Sequence, residues 1–373
     1  MRKRKRTWWK TVLQAFLVMS LLLTGIAPQT ALASQEAQVQ EGSQTVVYVD
    51  GVGSGTKDGS SAENALATLK EAYEKIPEGN LQTTIVICGA VKASQGAVVV
   101  KKAGTEQGYR FLPHDGKVII TSVYGEEDYR ATASLELEEK NYFLLGDTCL
   151  EMLHITKNAK WIFGNYFPLT LGDGLECDTI LSNMIYMGTS TMINGAGEGQ
   201  VSVKVKDSVF TMKSGIVGTV YGAGMYWQGD SAIGKDASIK MSISGGWIQK
   251  ALYGSGFGGT NASHHKSVEI NVSGGNIKEL NGIHGDATVY EDVSINITGG
   301  TVTDLYGARK HIAAADDSAA YIPHVEGNIT VTLGGNAVVS NLHAKEDGAN
   351  VSGKIRMRYS GAENQTLGGY YRF

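Results

Sequence analysis

The chain has 373 residues, 48 of them glycine and only 5 proline, with 42% hydrophobic residues and a formal net charge of −4. Without a three-residue glycine period it is not collagen, and its hydrophobic content speaks against a disordered chain. Three cysteines (Cys88, Cys149 and Cys177) are too few for a disulfide scaffold, and the acidic balance speaks against a nucleic-acid-binding domain, which needs a basic face.

The first elements in chain order are those of a targeting signal. "MRKRKRTWWK" is a basic start, "TVLQAFLVMSLLLTGIA" an apolar run, and Ala31-Leu32-Ala33 supplies small residues for cleavage before Ser34. A retained anchor is the alternative reading. Residues 1–33 carry six Lys/Arg and no acid, so their removal takes the charge to −10. No later run reaches the ~18 apolar residues of a membrane span. The expected product is extracellular, with no membrane segment after cleavage: a linker at 34–44, then one domain at 45–373.

"YVDGVGSGTKDGSSAENALATLKEAY" (48–73) is a short strand, a Gly/Ser/Asp loop and an amphipathic helix over about 68–76. Thr68 and Glu71 have the spacing of a capping box, Leu69, Ala72, Tyr73 and Ile76 form one apolar stripe, and Pro77 ends the helix. Next, "TTIVICGAV" reads as a strand with Cys88 as a small core residue.

Beyond residue 200 the chain repeats. "FTMKSGIVGTVYG" (210–222), "IKMSISGGWIQKALYG" (239–254), "VEINVSGGNIKELNG" (268–282) and "VSINITGGTVTDLYG" (293–307) are followed by the looser "ITVTLGGNAVVSNLHA" (329–344) and the beginning of another copy. The corner glycines, Gly215, Gly246, Gly275, Gly300 and Gly335, are 31, 29, 25 and 35 residues apart. Each copy holds a period-two strand, a glycine corner and a second short strand. That is one coil, which buries its inner face only by stacking on its neighbours. A propeller blade needs four strands, more than these copies hold. The expected fold is all-β: a right-handed parallel β-helix, its clearest coils in 201–362, with the helix at 68–76 as a short N-terminal cap over an otherwise open end.

The opening stretch resembles the start of secreted right-handed β-helix proteins of the pectin-lyase-like superfamily. The "SGGxIxxLYG" copies, and the block "FLPHDGKVIITSVYGEEDYRATASLELEEKNYFLLGDTCLEMLHI" (111–155), look like adhesin-like surface proteins of Gram-positive bacteria. The resemblance spans nearly the whole chain after the signal and implies the fold, but not an activity. Pectate lyases of similar fold carry Trp-Ile-Asp-His and Arg-x-Pro-x-x-Arg stretches. Here "WIFG" (161–164) lacks the acid and the base, and no Arg-Pro pair occurs. Polygalacturonase-like enzymes carry Asn-Thr-Asp, Asp-Asp, Gly-His-Gly and Arg-Ile-Lys, of which "ADD" (315–317) and "GIHGD" (282–286) are incomplete echoes.

Two groups of residues are candidates for chemistry. Six of the eight histidines (His264, His265, His284, His311, His324 and His343) fall in 264–343, beside Asp286, Arg309, Lys310, Asp316 and Asp317. Because coils stack about 4.8 Å apart, equivalent loops become neighbours. Arg309, Lys310, His311, His284 and Asp286 are therefore candidates for acid–base work, and Arg309 or Lys310 for holding a sugar carboxylate. Asp316 and Asp317 are weak metal candidates, and no cofactor is implied. The bland reading is solvated loop residues with no shared role. The second group is a row: Tyr221, Tyr253, Asn281, Tyr306 and His343 each follow an inward aliphatic residue and face outward in register. With Trp227, His264 and His265, and with Trp247 and Phe257 nearby, they are ligand-binding candidates for sugar rings. Their bland reading is a ladder that stiffens the coils. The leading expectation is an extracellular, non-catalytic, adhesin-like β-helix that binds a polysaccharide or glycoconjugate. The alternatives are a polysaccharide lyase or glycoside hydrolase acting through 264–343, and a structural spacer.

Overall fold

In each repeat, aliphatic and polar residues alternate up to a glycine with left-handed backbone, and this pattern builds the coil. The computed structural model describes residues 44–226, 232–258, 263–312, 320–360 and 371–372. The expected signal peptide, Trp227, Asp316 and Asp317 lie outside the described residues.

Three long strands, Ile239–Tyr253, Val268–His284 and Val293–Arg309, carry both arms of a coil through a corner. The corner glycines Gly215, Gly246, Gly275, Gly300 and Gly335 all have positive φ, between 56° and 84°. At Gly275 an added Cβ would lie 2.8 Å from the carbonyl of Gly245 and 2.9 Å from that of Gly246, so both backbone conformation and space demand glycine.

The pairing between coils is parallel. Before the corner, Ile239, Val268, Val293, Ile329 and Ile355 share one row, and Met241, Ile270, Ile295, Val331 and Met357 another. After it come Ile248, Ile277, Val302 and Val339. A third face is a five-stranded sheet of Ala232–Gly234, Ser263–His265, Ala287–Val289, His324–Val325 and Asn350–Val351. The N-terminal half adds its strands to the same 19-stranded sheet and has its own four-stranded face, Ala90–Lys92, Ser134–Glu136, Leu153–Lys157 and Leu175–Cys177. The chain is therefore all-β and has the parallel stacking of a β-helix. One continuous interior runs from Val47 to Ala349, and each fully buried aliphatic side chain in it contributes roughly 1.5–3 kcal/mol.

The helix Leu69–Glu74 is capped as its sequence indicates: Thr68 Oγ1 accepts from the Glu71 amide at 3.2 Å, and Glu71 Oε2 accepts from the Thr68 amide at 2.9 Å. Leu69, Ala72 and Tyr73 join the interior, where Tyr73 stacks on Phe111 with ring centroids 4.9 Å apart. Cys88, half-buried, packs at the edge of a small cluster around Tyr48 and Val86.

One feature lies outside the repeat pattern. The antiparallel hairpin of Val98–Lys102 and Thr105–Arg110, together with residues 190–201, covers part of the outer surface. The two pieces are tied by the Lys101 amide to the Glu198 carbonyl at 2.9 Å and by Arg110 Nε to the Gly199 carbonyl at 2.7 Å. Beneath them Val100, Phe143, Leu145, Phe163, Tyr186, Ile193, Tyr221 and Met225 form a second apolar cluster.

Candidate functional site

The outward row is longer than the repeats suggest. Phe143, Phe163, Tyr186, Tyr221, Tyr253, Asn281, Tyr306 and His343 follow one another in strand register across successive coils. Their aliphatic neighbours Val220, Leu252, Leu280 and Leu305 are fully buried on the inner side. Parallel pairing places equivalent side chains one coil apart, and the rings respond by stacking. Centroid separations are 4.9 Å for Phe143–Phe163, 5.1 Å for Phe163–Tyr186, 4.9 Å for Tyr186–Tyr221 and 4.9 Å for Tyr221–Tyr253.

Asn281 interrupts this stack because its side chain is too short to continue it. Two residues fill the gap: His284 packs on Tyr253 at 4.4 Å, and the Arg309 guanidinium lies over the Tyr306 ring at 4.5 Å. His284 and Arg309 are themselves register neighbours. Tyr306 then stacks on His343 at 4.5 Å. The ring faces are thus taken by other side chains, and the row offers edges and polar atoms to solvent. The covered end differs from the open one: Tyr221 is 6% exposed beneath the hairpin, whereas Tyr253, Tyr306 and His343 are half-buried.

At the open end a charged network joins the row. Arg309 Nη1 lies 2.5 Å from Glu279 Oε2, and its Nε lies 4.0 Å from Glu346 Oε1. Asn281 Nδ2 donates to Glu279 Oε1 at 2.9 Å, and the Tyr253 hydroxyl donates to the same oxygen at 3.5 Å. One row over, Asn341 Nδ2 donates to Asp304 Oδ1 at 2.8 Å, and Glu279, Asp304 and Asn341 are in register. Burial pulls the Arg309 pKa down, but its hydrogen bond and attraction to Glu279 outweigh this and leave it raised. Burial, then Glu279, pushes the Tyr253 hydroxyl up to about 12. Both groups stay protonated across the neutral range.

The histidine group does not gather into a single groove. His284 and Arg309 meet, and Lys310 follows at the end of that strand. His264 and His265 belong to the five-stranded face, in register with Thr288 and Val289. His264 contacts the Tyr290 hydroxyl at 3.0 Å and feels Asp286. His265 is 1% exposed and faces the interior, in the row of Val289 and Val325; burial, then His264, pushes its pKa down to about 3. His311 pairs with Tyr321 in a short antiparallel bridge. Trp247 is exposed at a corner, and Phe257 packs beside Tyr221. Glu279 and Glu346 were not singled out from sequence. The available signal was position: Glu279 stands two residues before the tyrosine row, where the neighbouring coils carry Asp304 and Asn341.

Among the described residues, no group of three or more His, Cys, Asp or Glu could hold a metal ion, and no helix is long and apolar enough to cross a membrane. No family model matches the chain, and neither the curated proteins nor the solved structures contain a match to it.

Proposed function

We propose that this chain is a secreted β-helix of the pectin-lyase-like kind that binds glycans without cleaving them, in the manner of an adhesin. The observation that carries this reading is the half-buried strip Tyr253–Glu279–Tyr306–Arg309–His343–Glu346 at the open end of the row. Ring edges, carboxylates and a guanidinium gathered on one strip suit a ligand rich in hydroxyls. The same geometry speaks against Arg309 as a catalytic base, because a base must release its proton and Glu279 holds the proton on Arg309.

The test uses the secreted chain, whose N-terminus should read from Ser34, incubated with acidic and neutral polysaccharides and mucins. Retention is measured together with new unsaturated or reducing ends. Retention without cleavage is expected. Cleavage would replace this reading with a lyase or hydrolase, and neither retention nor cleavage would leave a structural spacer.

A further inference from the structure

Residues 202–207, "SVKVKD", form an extended segment on the outside of the solenoid. Exposure alternates along it: Val203 and Val205 are half-buried against Tyr166, whereas Lys204 and Lys206 are exposed. This is the side-chain pattern of a β-strand. Yet among the described residues Lys204, Val205 and Lys206 make no backbone hydrogen bond and belong to no sheet. Both ends are fixed: Val201 bridges to Asn194, and Ser208 begins the strand Ser208–Met212, which pairs with Ile239–Tyr253. The Val203 amide donates to Asn194 Oδ1 at 3.2 Å, so the unpaired strand edge is Lys204–Lys206, fixed on both sides.

There is room beside it. One flank opens on a cleft of about 640 Å³ lined by Tyr166, Pro168, Lys206, Asp207 and Lys235 among others. The other flank opens on a cleft of about 340 Å³ floored by Pro113, Leu145 and Phe167. None of Lys204, Lys206 and Lys235 forms an ion pair among the described residues; Lys206 lies over the Phe167 ring at 3.6 Å and Lys235 over Tyr290 at 4.8 Å. The larger cleft also holds two carboxylates, Asp207, which accepts from the Ser238 amide at 2.8 Å, and Asp236.

We propose that this edge takes up an extended peptide that alternates acidic and apolar residues, adding it as a strand beside 202–207. An unpaired edge is a template for main-chain pairing. Lys204 and Lys206 repeat at two residues, about 6.6 Å, which is also the spacing of alternate side chains on an added strand. Acidic side chains then meet the lysines across the pair, and apolar ones turn toward Tyr166 and Pro168. Because the edge is tethered at both ends, little ordering opposes binding. This surface is distinct from the glycan strip.

The experiment measures fluorescence anisotropy of a labelled Glu-Val-Glu-Ile-Glu-Val peptide with the secreted chain. The expected result is saturable binding that weakens at least tenfold with K204E/K206E and with raised salt, and that is lost when alternate peptide nitrogens are methylated. The methylated peptide keeps every side chain charge, so it isolates main-chain pairing without altering the protein. Equal binding of the methylated peptide, or of a Lys-Val-Lys-Ile-Lys-Val peptide, overturns the proposal. So does competition by a sulfated oligosaccharide at lower concentration than the peptide, which would make the lysines a glycan site.

Discussion

The rings of Tyr186 and Tyr221, 35 residues apart in sequence, lie face to face with planes 8° apart and centroids 4.9 Å apart. They are the middle of a stack that starts at Phe143, and the hairpin seals that middle from water. Tyr186→Ala therefore removes the stacks on Phe163 and Tyr221, the edge contact with Trp161 and a buried side chain, at about 3–5 kcal/mol. Tyr253→Ala, at the half-buried end, should cost less than half as much. Urea unfolding midpoints of the two variants give the comparison; equal losses would contradict a sealed stack.

Glu279 and Arg309 should be energetically coupled. Both are partly exposed, so the coupling is expected at about 1 kcal/mol. A double-mutant cycle of E279Q and R309M, read by urea unfolding, measures it. In the glycan retention assay each single variant should lose binding, because each disturbs the same strip. A variant that keeps full retention would remove its residue from the site.

His265 predicts an acid-sensitive fold. Its folded-state pKa, about 3, lies below the unfolded value near 6.5, so the unfolded chain binds the extra proton between those limits. Stability from this residue is complete above about pH 6.5 and falls with decreasing pH by roughly 1.4 kcal/mol per unit. Between pH 7 and pH 5 the wild-type chain should lose about 2 kcal/mol on this account. His265→Val matches its row neighbours Val289 and Val325 and should flatten that slope. A variant with an unchanged slope would place the sensitivity elsewhere.

Gly300 and Gly79 share a positive φ, 78° and 69°, but differ in surroundings. A Cβ on Gly300 would lie 2.6 Å from the Gly275 carbonyl oxygen, whereas nothing lies within 4 Å of one on Gly79. Gly79→Ala should therefore cost on the order of 1 kcal/mol, the left-handed backbone alone. Gly300→Ala should cost on the order of 3 kcal/mol, because the preceding coil must also move. Thermal midpoints of the two variants separate the contributions.

Much of this arrangement could be read from the chain, where a residue's role recurs at each coil. Gly246, Gly275 and Gly300 mark the corners, Leu252, Leu280 and Leu305 the inner wall, and Tyr221, Tyr253 and Tyr306 the outer row. The cap of the helix was equally legible, since Thr68 and Glu71 act within four residues. The cover over Tyr221 was not legible. Val100 and Ile193 come from stretches that do not repeat, and their meeting is decided by three-dimensional closure, which leaves no periodic trace. The extension of the row to Phe143 and Phe163 was hidden for the same reason. His265 looked like its half-buried neighbour His264 because the period-two pattern of its three-residue strand is too short to show which of the two faces inward.

A solenoid whose coils each stack on the one before and the one after has a mechanical consequence. Pulled by its two ends, such a molecule yields at a terminus first, because a terminal coil is held from one side only. Each yielding event frees one repeat, for example the 29 residues from Gly246 to Gly275, or roughly 100 Å of extended chain. The force record would be a staircase of similar steps, interrupted where the hairpin straps several coils together.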